Sequence, residues 1–153
     1  MRIAVLGAAL SAAFVAGFAV SQTVSPVGAQ SSPPPLSPQI IKVGAMTDDE
    51  IGPLINNTDL RSRTLVATEW GTVAVQSGNV LKHFHADANE IQYILDGAGS
   101  FWLGDKQIDV KAGDFLVIPK GTPHAGSKAS TGRFKTIAIK MPPQRPDDVK
   151  PVD

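Results

Sequence analysis

From Thr64 onward the chain alternates short apolar or β-branched runs with turn residues. The runs cover residues 64–70, 72–76, 80–85, 90–95, 100–103, 107–110, 114–118 and 133–140. Gly, Asp, Asn or Pro closes each of them, as expected of strands joined by tight turns. Gly104-Asp105-Lys106 reads as a hairpin between two strands, and Gly97 as the end of another. Eight short strands predict an all-β domain, closed or sandwiched, because such folds protect sheet edges in a small protein. A helix is predicted only over residues 47–54. Thr47 would cap it, Asp48, Asp49 and Glu50 would suit its first turn, and Gly52-Pro53 would stop it.

The flanks follow other patterns. Arg2 is the only charge before Lys42, and residues 3–20 are apolar except for Ser11. A basic start, an apolar run and small residues at Val27-Gly28-Ala29 predict a signal peptide over residues 1–29, cleaved before Gln30. The protein is then expected in the periplasm or outside the cell. The competing reading is an uncleaved N-terminal membrane anchor. Residues 30–38 contain SSPPPLSP and read as an extended linker, since proline lacks the N–H of a ladder. Residues 142–153, rich in proline and charge, read as a flexible tail with nothing to bury. The folded domain is therefore expected over residues 39–141.

Composition narrows the chemistry. The chain balances 14 basic against 14 acidic side chains, which argues against a nucleic-acid partner that would need a basic surplus. No cysteine is present, so disulfides, thiolate metal sites and cysteine nucleophiles are excluded together. Imidazole and carboxylate remain as metal ligands, and there are only three histidines.

All three histidines fall in the strand-rich region. Residues i and i+2 of a strand share a face, so His83 and His85 project together while Phe84 points away. Asp87 and Asn89 belong to the turn that follows, and Glu90 opens the returning strand level with the two imidazoles. Two imidazoles and a carboxylate on one inner face form a metal site for a hard or borderline ion. His124 follows a rigid corner, Pro119-Lys-Gly121-Thr-Pro, and would complete a set of four. Gln92 shares the inward face of Glu90 and is expected to touch a ligand or to orient His83 or His85. Either Phe101 with Leu103 or Ser100 with Trp102 would line the cavity. Tyr93 is expected to face outward, and Trp70 to lie in the core or at the rim. No residue is assigned as catalytic.

Together, Gly78…His83-Phe-His85…Glu90…Gly97 and Gly113…Pro119-Lys-Gly121…His124 resemble the two motifs of the cupin superfamily. Two positions depart from the usual pattern: four residues separate Gly78 from His83, and Lys128 stands where an asparagine is common. The resemblance implies a conical β-barrel, or double-stranded jelly roll. One divalent metal ion, iron, manganese or zinc, would be held by His83, His85, Glu90 and His124. It also implies a small-molecule ligand and a homodimer in which residues 39–43 add to the partner's sheet. The functional expectation is a metal-dependent enzyme of dioxygenase, decarboxylase or isomerase type. The alternative is a non-catalytic module that binds a small molecule or the metal itself. With every histidine already at a ligand position, little acid–base capacity remains, which favours redox chemistry on the metal.

Overall fold

The computed structural model describes residues 33–56 and 58–152. The expected signal segment lies outside the described residues. Residues 33–42 have no regular structure, and a 3-10 turn, Val43–Ala45, precedes the helix α1, Asp48–Ile51. A reciprocal cap sets the start of α1: the Glu50 N–H donates to the Thr47 hydroxyl, and the Thr47 N–H donates to the Glu50 carboxylate. Gly52, at φ 132°, ends it after one turn.

Eight strands follow among the described residues: β1 Arg61–Ala67, β2 Thr72–Ser77, β3 His83–His85, β4 Asn89–Leu103, β5 Lys106–Lys111, β6 Phe115–Ile118, β7 His124–Met141 and β8 Val149–Pro151. The all-β prediction holds, with the strands divided differently. Residues 90–95 and 100–103 are one strand, so Gly97 does not close it. Gly97 sits at φ 84°, and a Cβ there would lie 2.8 Å from the Arg133 carbonyl oxygen. The glycine permits a close crossing with β7, and the chain continues. β7 likewise begins at His124, well before the expected residue 133.

β4 and β7 form a long antiparallel ribbon running from Asn89↔Met141 to Leu103↔His124. The first half of β4 pairs with β6, and the second half with β5 through the expected Gly104-Asp105 hairpin. The second half of β7 carries β2 and then β1, while its first residue pairs with β3, which in turn pairs with β8. Each half of the ribbon thus anchors its own group of strands, as in a jelly roll. Ile94, Phe101, Val110, Leu116, Ile118, Ala125 and Phe134 form the buried core. Phe101 and Leu103 therefore belong to the packed side, with Trp102 left at the surface side beneath Lys82 Nζ, 4.3 Å from its ring centre. The remaining void beside Gln92, Phe101 and Thr136 admits about one water.

Two expectations need correction here. Trp70 is 76% exposed, since the turn that joins β1 to β2 holds it off the barrel. The segment after Pro142 is not free of the domain: β8 runs along β3, and Asp148 is buried.

Candidate metal centre

His83 and His85 come from β3, Glu90 from the start of β4, and His124 from the start of β7. Strand alternation turns both β3 imidazoles inward, and their ring centres are 5.0 Å apart. Register places His124 directly opposite His83, with ring centres 4.3 Å apart. The Pro119-to-His124 corner is tied to the same strand, because the Gly121 N–H donates to the His85 carbonyl at 2.7 Å. Gly121 adopts φ 77°, which an L side chain would resist. The structure thus brings the four predicted residues together, with one ligand atom from each within 4.8 Å of all the others.

The protons on this cluster are arranged by what lies behind it. Nδ1 of His83 faces the Leu81 carbonyl at 2.8 Å, and Nδ1 of His124 faces the Thr122 carbonyl at 2.9 Å. A carbonyl only accepts, so each neutral ring carries its proton on Nδ1 and keeps an Nε2 lone pair for the interior. Nε2 of His85 and of His124 converge on Glu90 Oε2, at 2.8 and 3.2 Å. The His124 lone pair that faces this carboxylate oxygen calls for a cation between them.

Charge points the same way. Glu90 and Asp148 are both buried, Asp148 lies 3.1 Å from His85, and Lys140 Nζ is 3.6 Å from Glu90 Oε1. Two buried carboxylates around one ammonium leave a deficit of positive charge that a divalent ion would offset. The donor set therefore fits a metal of the nitrogen- and oxygen-loving kind.

Burial opposes ionisation of Glu90, but its close polar partners His124 and His85 and the Lys140 charge outweigh it. Its carboxyl is held well below the usual range. Burial first, and the neighbouring His124 second, push His83 down to about 4, so it stays neutral and available as a ligand at pH 7. His83 is also the least buried of the four, which puts the open side of the cluster at its edge.

Gln92 does share the inward face of Glu90, yet it does not orient a histidine. Its Nε2 donates to Glu90 Oε1 at 2.9 Å. With Lys140 it occupies Oε1 and leaves Oε2 to the imidazoles. Lys140 was readable from alternation along β7, where Phe134, Thr136, Ala138 and Lys140 are the buried positions. Tyr93 faces outward as expected.

Comparison with known proteins bears on this arrangement. Residues 70–140 match the cupin domain family. The chain is 34% identical over 70 residues to an uncharacterized protein of Methanocaldococcus jannaschii, covering 46% of this chain and 56% of that one. It is 34% identical over 82 residues to acireductone dioxygenase 1 of Physcomitrium patens, covering 46% of this chain and 42% of that one. The chain spans about half the length of the curated relatives it matches. A Klebsiella pneumoniae protein with a double-stranded β-helix domain superposes at TM-score 0.54 and 18% identity, over 63% of this chain and 88% of that one. The fold is a cupin-like jelly roll, and the four ligand-type residues all lie inside the stretch that matches the cupin domain family.

Proposed function

We propose that this cupin holds one divalent metal ion at His83, His85, Glu90 and His124 and uses it for oxidative chemistry on a small molecule. The observation that carries the reading is the convergence of the Nε2 atoms of His85 and His124 on one carboxylate oxygen, inside a pocket short of positive charge. A redox-active ion bound there would supply the electron transfer that lets dioxygen react with an organic substrate. The residues themselves orient and hold charge. Gln92 and Lys140 fix Glu90, Lys140 keeps a cation beside the site that favours an anionic substrate, and the His83 edge admits it. No further histidine remains for proton transfer, and Tyr93 faces outward, which disfavours mechanisms built on elaborate acid–base steps. The 34% identity to a dioxygenase supports the oxidative reading.

A non-catalytic metal- or ligand-binding module is the second reading. It is favoured by the small void beside Gln92, Phe101 and Thr136, which holds about one water rather than a substrate. Metal analysis of purified protein, with oxygen uptake on a panel of phenols, thiols and dicarboxylic acids, separates the two. About one iron or manganese per chain with oxygen consumption supports the enzyme. Zinc with no consumption favours the binding module, and no metal at all overturns both readings.

We infer further that the domain is exported, as Arg2, the apolar run over residues 3–20 and the small residues at 27–29 suggest. N-terminal sequencing of the mature chain should begin at Gln30. Among the described residues no helix is long and apolar enough to cross a membrane. A second copy of the chain is the expected partner, supported by exposed Ile40, Phe115 and Val117, and light scattering should give twice the chain mass.

A further inference from the structure

The C-terminal segment brings a buried carboxylate to the back of the cluster. Asp148 is 1% exposed. Its Oδ1 accepts from the Asp87 N–H at 2.6 Å, and its backbone carbonyl accepts from the Ala86 N–H at 3.1 Å. Its Oδ2 stands 3.1 Å from Nδ1 of His85, too bent for a hydrogen bond, and both buried atoms are without a hydrogen-bond partner. Beyond it, β8 lies along β3 in the register His85↔Val149, Phe84↔Lys150 and His83↔Pro151. The Val152 N–H then donates to the Lys82 carbonyl at 3.1 Å.

We propose that Asp148 is a positioning residue of the metal centre, fixing the His85 tautomer, so that docking of the C-terminal segment and metal binding strengthen each other. The inference rests on the metal reading of the cluster and adds the segment after residue 141 to the site. His83 and His124 each find a backbone carbonyl two residues upstream to take the Nδ1 proton. His85 has none, and Asp148 fills that role. A carboxylate only accepts, so it holds the proton on Nδ1 and keeps the Nε2 lone pair toward Glu90. Removing such an outer partner typically costs 10- to 100-fold in metal affinity. Because the ion and the segment bias the same imidazole, each must favour the other to an equal degree.

Asp148→Asn tests this without a change of shape. The Asp87 N–H demands an acceptor at Oδ1, which forces the amide nitrogen toward His85 Nδ1. An amide N–H facing Nδ1 requires a lone pair there and moves the ring proton to Nε2, where it blocks the ligand position. Titration of the metal-free full chain with Co²⁺ should show affinity reduced 10- to 100-fold in the variant. Its metal-free melting temperature should stay within about 3 °C of wild type, since the displaced proton can be donated to Glu90. Nitrogen-15 shifts of His85 should report the Nδ1–H form in wild type and the Nε2–H form in the variant. In wild type alone, Co²⁺ should slow hydrogen exchange at Ala86, Asp87 and Val152.

Unchanged Co²⁺ affinity in the variant, or exchange at those amides that ignores Co²⁺, overturns the inference and leaves the metal reading standing. A variant that merely unfolds at lower temperature, with its His85 tautomer and affinity intact, also overturns it. Failure of the wild type to bind Co²⁺ overturns the metal reading itself.

Discussion

The four candidate ligand residues stand on two very different supports. Glu90 and His124 sit on β4 and β7, strands of 15 and 18 residues paired along nearly their whole length. His83 and His85 sit on β3, a strand of three residues that touches β7 at a single pair and is otherwise held by β8 and the Gly121 corner. The ribbon is braced by the buried core, whereas β3 is braced chiefly by backbone pairing to a strand whose own side chains are exposed. One wall of the site is therefore as stable as the fold, and the other opens at lower cost. A site built this way would hold two donors in place and let the other two adjust to an ion.

The largest test breaks the ribbon. Ile94→Ala removes a fully buried side chain from β4 and should cost about 2–5 kcal/mol of global stability in denaturant unfolding. A loss below about 1 kcal/mol would mean the ribbon is not the stable wall. Next, replacing both β3 imidazoles, His83→Ala with His85→Ala, should abolish stoichiometric metal while leaving the barrel folded by circular dichroism. Unchanged stoichiometry would remove β3 from the site.

Acid sharpens the contrast from the β3 side. His83 titrates at about 4 when folded, against 6.5 as its ordinary value, so between those values the unfolded chain binds the proton more readily. Its contribution to stability is fully present above pH 6.5, falls as the pH drops toward 4, and changes no further below that. His83→Gln should flatten the metal-free melting temperature over that window; an identical slope would refute the assignment. The smallest effect is expected at Arg145, whose ion pair with Asp87 is exposed on both sides. Arg145→Ala should leave the midpoint of denaturant unfolding essentially unchanged.

The same contrast explains what could be read from sequence. The convergence of the four candidate residues was legible because strand alternation and the Pro-Gly corner set their direction locally. The inward face of Gln92 was legible too, but its partner was not: alternation gives a side and leaves open which neighbour on that side is met. Gly97 was misread because a glycine that ends a strand and one that lets two strands cross closely look alike in one dimension. The C-terminal segment was misread for a different reason. β8 shows no apolar alternation, since it is held by backbone pairing and a single buried aspartate, and neither leaves a pattern in composition.

β8 has one more consequence, for how the sheet ends. In the order β1-β2-β7-β3-β8 it is the outermost strand on its side, and without it the backbone of the histidine strand would be left unpaired there. Exposed strand edges recruit strands from other molecules. β8 is three residues long, carries Lys150 outward and finishes on Pro151, which has no N–H to offer a newcomer. The segment that reaches the imidazoles thus also blunts the sheet, guarding the chain against edge-to-edge aggregation at the place where its ligands are least firmly held.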